Sequence, residues 1–178
     1  MLQSAKMVNR RARVDVQIRP LSEDDDLGEL TALLHRAYAS LAEMNLHFVA
    51  TKQDVETTRA RIAGAECYVA VLDGRVVGTI VFRPCARTGG CEWYDRPEVA
   101  SFGQFGVEPT LQGLGIGTAL LDHVESRARD LGAKEIALDT AEPAQHLIEY
   151  YGRHGYRIVG KEKWDIVNYS SVIMSKAL

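Results

Sequence analysis

Residues 107–118 read Val-Glu-Pro-Thr-Leu-Gln-Gly-Leu-Gly-Ile-Gly-Thr, and this stretch decides the fold of the chain. An apolar strand ends at Val107, a glycine-rich turn follows, and an amphipathic helix begins near Gly117. Such a turn exposes backbone N–H groups at a helix N-terminus, where the helix dipole favours an anion such as pyrophosphate. The stretch therefore predicts a strand–turn–helix unit that can bind a phosphate-bearing ligand.

Two familiar nucleotide-binding motifs do not match this turn. The dinucleotide fingerprint needs a glycine three positions after Gly115, where this chain has Thr118. The phosphate-binding loop of nucleotide hydrolases needs Gly-Lys followed by Ser or Thr, which the sequence lacks. The remaining alternative is a plain tight turn that only joins a strand to a helix.

The strand before the turn carries a second signal, a break in its alternation. Phe105 and Val107 share one phase of the strand, whereas Phe102 belongs to the other, and Gly103 and Gly106 lie between them. A phase slip beside glycines is typical of a β-bulge. A bulge frees backbone N–H and C=O groups, which an extended ligand with amide groups can then pair with. The alternative is that these glycines are ordinary packing compromises.

The rest of the chain alternates strand and helix patterns, with no internal repeat and no low-complexity linker. Period-two patterns predict seven strands, near residues 14–18, 67–72, 76–82, 101–107, 136–140, 156–164 and 169–175. Helical periodicity predicts four helices, near residues 27–41, 53–62, 117–131 and from Pro143 to before Gly155. The residues between 85 and 99 lack periodicity, which indicates a functional or mobile loop. This order of elements predicts an α+β fold.

Composition places the chain among ordinary globular proteins. Its 178 residues are 46% hydrophobic and 25% charged, with a net charge of −3, so nothing points to a nucleic-acid partner. No apolar run approaches the roughly 20 residues that a membrane-spanning helix needs, so we expect no membrane partner. We predict a single domain over residues 14–178, with residues 1–13 as a disordered N-terminal tail.

The cysteines indicate a reducing compartment. Cys67, Cys85 and Cys91 are too few and too unevenly spaced for a disulfide framework. No second cluster or nearby histidine completes a metal site beside Cys85 and Cys91, so we predict that no metal is bound. The N-terminal residues lack the apolar core of a secretory signal. We therefore expect a cytoplasmic protein.

A second motif lies downstream, where residues 150–156 read Tyr-Tyr-Gly-Arg-His-Gly-Tyr. This motif and the spacing Gln112-x-x-Gly115-x-Gly117 together resemble the GCN5-related N-acetyltransferases, a family that binds acetyl-coenzyme A. The resemblance implies a three-layer fold, with a mixed, mostly antiparallel sheet of about seven strands and helices on both faces. It also implies transfer of an acetyl group from acetyl-coenzyme A, as cosubstrate, to a primary amine. A homodimer is a plausible assembly within this family.

The resemblance also implies roles for individual residues. Tyr151 aligns with the family's catalytic tyrosine, which protonates the departing thiolate, while Tyr150 points about 100° away around the helix. The backbone of the bulged strand and of the turn would hold the cofactor, through Phe105, Gly106, Val107, Gln112, Gly113, Leu114, Gly115, Ile116, Gly117 and Thr118. Because no cysteine or serine lies in a nucleophile motif, the amine is expected to attack directly in a ternary complex.

Several features stay open at the level of sequence. The residues that could accept the proton of the amine are Glu43, His47, Glu92, Asp95 and Glu98, and a chain of water molecules could serve instead. The cations that could meet the cofactor's 3′-phosphate are Arg127, Arg129, Lys134, His146 and Arg153. The acceptor could be a protein N-terminus, a lysine, a polyamine, an amino acid or an antibiotic. The alternative functions are a non-catalytic sensor of acyl-coenzyme A and a transferase for a longer acyl group.

Overall fold

The computed structural model describes residues 14–178. They form seven strands and four α-helices: β1 Gln17–Pro20, α1 Leu27–Glu43, α2 Val55–Ile62, β2 Glu66–Leu72, β3 Arg75–Arg83, β4 Val99–Val107, α3 Ile116–Asp130, β5 Glu135–Ala141, α4 Gln145–Arg153, β6 Arg157–Glu162 and β7 Ser171–Ala177. Short 3-10 turns lie at Val49–Thr51, Cys85–Arg87 and Pro109–Leu111. No helix within residues 14–178 is both long and apolar enough to cross a membrane.

The strands form one sheet in the order β1-β2-β3-β4-β5-β7-β6. All neighbouring pairs are antiparallel except β4 and β5, which run parallel. The predicted α+β fold, with a mixed and mostly antiparallel sheet of seven strands, is therefore confirmed.

Helices cover both faces of this sheet because successive strand residues point to opposite sides. Leu30 and Leu33 of α1 pack against Val69 and Val81 on one face. On the other face, α3 and α4 pack against the alternate residues of the same strands, Tyr68, Ala70, Ile80 and Phe82. These two cores fix α1 and α3 on either side of β4, the strand that precedes the glycine turn.

β4 and β5 separate along their length. They pair at only three positions, Val99↔Glu135, Ala100↔Ile136 and Ser101↔Ala137. Beyond these pairs β4 stays hydrogen-bonded to β3 up to Val107, and β5 stays bonded to β7 up to Ala141. The C-terminal halves of two central strands therefore part and leave an opening in the middle of the sheet.

The predicted bulge lies in β4, on the edge of this opening. Val81 pairs with Gly103 and Thr79 pairs with Gly106, so two residues of β4 face the single residue Ile80. Gln104, the first of the two, has a φ of 45°, in the left-handed region that few residues other than glycine adopt. The bulge prediction is confirmed, and the strained residue is a glutamine rather than one of the flanking glycines.

Some predicted boundaries shift by a few residues. β1 occupies Gln17–Pro20, the segment that pairs with β2, rather than residues 14–18. Pro143 does not begin α4, because a turn from the Ala144 N–H to the Ala141 carbonyl comes first and the helix starts at Gln145. The predicted N-terminal tail, residues 1–13, lies outside the described part of the chain.

Candidate active site

A cavity of about 790 Å³ lies at the opening between β4 and β5 and extends to the glycine turn. Its walls come from α1, from the segment from Phe105 to Thr118, from the end of β5 and from α4. Nine of the ten residues predicted to bind the cofactor line this cavity. Ile116 is the exception, because its side chain is only 1% exposed and packs into the core beneath α3.

The glycine turn presents free backbone donors to this cavity. Gly113 and Gly115 have φ values of 79° and 90°, which only glycine adopts without strain, and Gly115 is the N-cap of α3 without a side-chain hydrogen bond. Within residues 14–178, the amide groups of residues 113–118 have no hydrogen-bond acceptor, and the first turn of α3 contains no acidic residue. An anion can therefore bind here without displacing a protein group.

The turn is held against α4 by close contacts. A Cβ atom on Gly117 would lie 2.9 Å from the Tyr150 hydroxyl oxygen, so a side chain larger than hydrogen does not fit without movement. Next to it, Thr118 Oγ1 and His154 Nε2 are 3.3 Å apart, and His154 Nδ1 is 2.9 Å from the Tyr150 carbonyl. These contacts join the start of α3 to α4, so both sides of the cavity are fixed relative to each other.

The end of β4 turns one amide group toward the opening. The Glu108 N–H donates to the Val77 carbonyl at 2.8 Å, and Gly78 pairs with Val107. In an antiparallel ladder this pattern makes Gly78 and Val107 a non-hydrogen-bonded pair, so the N–H and C=O of Val107 point away from β3. The Val107 carbonyl accepts a hydrogen bond from Gln112 Nε2 at 3.3 Å. The Val107 N–H faces the side of β4 that β5 has left.

Tyr151 lies where two cavities meet. It lines the larger cavity and also a second one of about 200 Å³, and the residues common to both are Tyr38, Phe48, Phe105, Asp139 and Tyr151. Its side chain is 8% exposed, and burial raises the pKa of its phenol well above 10. The neighbouring Tyr150 lines the larger cavity alone. Of the two tyrosines, only Tyr151 therefore borders both spaces, and burial keeps its phenol protonated at neutral pH.

Asp139 is a residue that the sequence did not single out. It lies near the end of β5, lines both cavities, and accepts a hydrogen bond from the Tyr94 hydroxyl at 3.0 Å. Its side chain is open to the cavities, but the surrounding protein desolvates it enough to raise the pKa of the carboxyl group. Hydrogen bonding to Tyr94 and Trp164 and the charges of Arg61 and Arg83 oppose that rise.

None of the five acidic or imidazole groups suggested by the sequence as proton acceptors lines either cavity. Glu98 forms an ion pair with Arg96, and Asp95 accepts a hydrogen bond from the Gly90 N–H. The others, Glu43, His47 and Glu92, are exposed. No local pattern marks Asp139 as a site residue, because it occupies a polar position of an alternating strand and its partner Tyr94 lies 45 residues away in the chain.

The cations suggested for the 3′-phosphate separate into two groups. Arg127 and Arg129 lie in the last turn of α3, far from its glycine-bound start, and are paired with Glu66 and Glu125. Lys134 follows the same end of α3 and lines neither cavity. His146 and Arg153, both on α4, line the larger cavity. The structure therefore keeps only these two as candidates.

Two cavity-lining side chains contain a buried polar atom without a hydrogen-bond partner in the described residues: Gln104 Nε2 and Thr140 Oγ1. Buried polar groups are normally paired, and an unmet group costs about 1–3 kcal/mol. Such atoms beside a cavity are typical of a site that a ligand completes.

Comparison with known proteins agrees with this geometry. The family model described as "Acetyltransferase (GNAT) family" matches residues 31–156. The chain belongs to this family. The resemblance seen in the sequence is thus confirmed, and the protein is a GNAT acyltransferase.

Two curated relatives of this GNAT protein come from Bacillus subtilis (strain 168). The chain is 33% identical to S-(2-succino)cysteine N-acetyltransferase over 145 residues, which is 80% of this chain and 85% of that protein. It is 25% identical to S-alkylcysteine N-acetyltransferase over 151 residues, 82% of this chain and 81% of that one. Both relatives are N-acetyltransferases of S-substituted cysteines.

Among solved structures, a GNAT family acetyltransferase from Elizabethkingia anophelis was determined with acetyl-CoA bound. It superposes with a TM-score of 0.65 at 19% identity, covering 92% of this chain and 98% of that one. At this identity the likeness establishes the fold.

Proposed function

We propose that this protein transfers the acetyl group of acetyl-coenzyme A to the amine of an S-substituted cysteine. The observation that carries the proposal is the meeting of two cavities beside Tyr151 and Asp139, one reaching the glycine turn and one leading away from it. Such an arrangement suits a donor and an acceptor that enter from different sides. The acceptor class is taken from the two curated relatives, which both act on S-substituted cysteines.

The residues around the larger cavity fit acetyl-coenzyme A, which would supply the activated thioester. The unpaired amide groups of residues 113–118 would bind the pyrophosphate, and His146 or Arg153 would meet the 3′-phosphate. The N–H of Val107 would donate to the thioester oxygen, where negative charge develops during attack. Phe105 and Gly106 would form the wall along the acyl end.

Tyr151 would act as the general acid. Attack by the amine breaks the C–S bond, and the sulfur leaves as a thiolate that a nearby proton donor can neutralise. Burial keeps the Tyr151 phenol protonated, so the proton is present when the bond breaks. None of the three cysteines lines either cavity, which favours direct attack over a covalent acyl-enzyme.

Asp139 would accept the proton of the acceptor amine. An alkylammonium group has a pKa near ~10 and is not a nucleophile until it loses a proton. The desolvation that raises the pKa of Asp139 makes its carboxylate a stronger base than an exposed aspartate. At the junction of the two cavities, this base would lie on the acceptor side of the thioester.

The aromatic rings at the junction favour a short acyl group over a longer one. Phe48 lies 5.4 Å from Tyr38 and 4.8 Å from Tyr169, measured between ring centroids. These side chains line the smaller cavity, and a long acyl chain would have to displace them or the acceptor.

The proposal is tested by turnover with a panel of acceptors at saturating acetyl-coenzyme A. The panel contains S-ethylcysteine, S-(2-succino)cysteine, spermidine, lysine and a peptide with a free N-terminus, and the released thiol is measured. We expect the S-substituted cysteines to give the highest kcat/KM. Faster turnover of spermidine or the peptide would reject the acceptor class. Binding of acetyl-coenzyme A without turnover of any amine would favour the sensor.

A further inference from the structure

Arg61, in the last turn of α2, is a charged residue of the acceptor side that the proposed chemistry leaves without a role. It lines the smaller cavity, is partly buried, and donates a 2.6 Å hydrogen bond from Nη1 to Gln53 Oε1. No carboxylate lies within ion-pair distance of it in the described residues, and residues 1–13 contain no aspartate or glutamate. A partly desolvated guanidinium without an acid is unusual.

A second guanidinium adds to this positive charge. Arg83, at the end of β3, donates from Nη2 to the Arg61 carbonyl at 3.0 Å, and its Nη1 lies over Gly103, a residue of the smaller cavity. Arg83 also forms no ion pair with an acid among residues 14–178. Desolvation lowers the pKa of both guanidiniums, and the positive charge of Arg83 lowers the pKa of Arg61 further.

The groups that face Arg61 leave at least one positive charge uncompensated. Besides Arg83, they are the phenols of Tyr38 and Tyr169 and the carboxyl group of Asp139. The phenols stay neutral because burial raises the pKa of Tyr38 to about 12 and also raises that of Tyr169. Asp139 can neutralise only one of the two guanidiniums. A ligand with a negative charge would compensate the remaining positive charge.

An unpaired amide at the bulge provides independent evidence for an anion. Because Arg61 donates to Gln53 Oε1, the Gln53 amide group must donate from Nε2, which it does to Gln104 Oε1 at 2.8 Å. The Gln104 Nε2 is thereby turned away from Gln53. Gln104 is only 3% exposed, lines the smaller cavity, and its Nε2 has no acceptor in the described residues. Two guanidinium groups without an acidic partner and one amide group without an acceptor thus lie at the same small cavity.

We infer that Arg61, supported by Arg83 and by the Gln104 amide, forms a subsite for the carboxylate of the acceptor amino acid. The inference rests on the proposed function and adds its specificity determinant. A carboxylate here fits the planar fork of a guanidinium and leaves the amine on the Asp139 side of the cavity. The remaining wall is largely apolar and suits a thioether substituent, with Phe48, Trp164, Ile166, Val167 and Tyr169.

The inference is tested with two acceptors, S-ethylcysteine and 2-(ethylthio)ethylamine, which keeps the amine and thioether but lacks the carboxylate. For the wild-type enzyme we expect kcat/KM to be about 100-fold higher for the amino acid, the loss typical of an absent charged hydrogen bond. In Arg61→Gln this preference should disappear, with S-ethylcysteine losing about 100-fold and the simple amine nearly unchanged. Arg61→Lys, which keeps the charge and loses the fork, should fall between the two.

Arg59→Gln is the matched control, because Arg59 lies on the same helix, is exposed, and pairs with the likewise exposed Glu56. It should leave both acceptors unaffected. Equal kcat/KM of the wild type for both acceptors would overturn the subsite while leaving the N-acetyltransferase intact. A parallel loss of both acceptors in Arg61→Gln would assign the residue a purely structural role and also overturn it. Failure of the wild type to acetylate either compound would reject the proposed function and the subsite together.

Discussion

The Tyr94 hydroxyl donates a 3.0 Å hydrogen bond to Asp139 Oδ1, and this bond joins the connection between β3 and β4 to the centre of the sheet. Tyr94 is 7% exposed, and burial with the nearby Asp139 charge raises the pKa of its phenol well above 10. The connection, which has no periodicity in sequence, therefore supplies the residue that orients the proposed base.

Replacing the proposed base should reduce turnover without reducing stability. In Asp139→Asn we expect kcat to fall by about 100-fold, because general base catalysis is lost. Folding raises the pKa of the Asp139 carboxyl group. The ionised form therefore destabilises the folded protein, and this destabilisation grows as the pH rises above the pKa that Asp139 has in the unfolded chain. The melting temperature of the variant at pH 7.5 should therefore equal or exceed that of the wild type. Glu92→Gln, an exposed acid of the β3–β4 connection, is the control.

Removing the Tyr94 hydroxyl should change the pH dependence of the reaction. The hydrogen bond from Tyr94 stabilises the carboxylate and holds the pKa of Asp139 down, so Tyr94→Phe should raise it. The acidic limb of the kcat/KM profile is expected to move upward by about one pH unit. An unchanged limb, with turnover retained, would mean that Asp139 is not the titrating base.

Removing the Tyr151 hydroxyl should separate catalysis from cofactor binding. Tyr151→Phe keeps the ring that packs against Phe102 and Tyr156 and loses the proton donor. We expect kcat to fall by about 100-fold, with the affinity for acetyl-coenzyme A, measured by calorimetry, retained. The matched variant is Tyr150→Phe, which changes the adjacent phenol that does not line the smaller cavity. Equal losses in the two variants would reject the assignment of Tyr151 as the acid.

A methyl group at residue 117 should weaken cofactor binding, and a second substitution, at Tyr150, should restore part of the lost affinity. The added Cβ would lie 2.9 Å from the Tyr150 hydroxyl oxygen and 3.3 Å from Phe105 Cζ, so the Tyr150 side chain or the backbone of the turn must shift in Gly117→Ala. We expect the affinity for acetyl-coenzyme A to fall by about tenfold, or ~1.4 kcal/mol. Adding Tyr150→Phe removes the clashing atom and should restore part of the affinity. No recovery in the double variant would show that the Tyr150 contact is not the cause.

In contrast to the substitution at Gly117, an alanine at residue 152 in α4 should be favourable. A Cβ atom there meets nothing within 4 Å, and the residue lies inside α4. Gly152→Ala should therefore raise the free energy of unfolding by about 0.5–1 kcal/mol through helix propensity alone. Denaturant unfolding measures the gain, and a loss of stability would contradict the open space seen beside this glycine.

Local signals in the sequence predicted the donor side of the site. The spacing of Gly113, Gly115 and Gly117 and the phase slip before Val107 involve only residues that are neighbours in the chain, so the sequence alone locates the turn and the bulge. The acceptor side depends on contacts between distant segments. Arg61 looks like an ordinary basic residue in the last turn of a helix, and Asp139 like the polar side of a strand.

The contacts that suggest a role for Arg61 and Asp139 form only in the folded chain. Arg61 reaches the bulge through Gln53, and Asp139 meets Tyr94, a residue from a segment without periodicity. No local pattern encodes the separation of β4 from β5, which brings these groups to one cavity. The sequence therefore predicts the donor, while the residues proposed for the acceptor subsite and for proton acceptance become apparent only from tertiary contacts.

One product analysis tests direct acetyl transfer to an S-substituted cysteine. Wild-type protein is mixed with acetyl-coenzyme A and S-ethylcysteine, and free coenzyme A, the acetylated amino acid and the intact protein mass are measured together. We expect N-acetyl-S-ethylcysteine and coenzyme A to appear in equal amounts while the protein mass stays unchanged. An acetylated protein that forms before the product, or release of coenzyme A without N-acetylated product, would contradict the account.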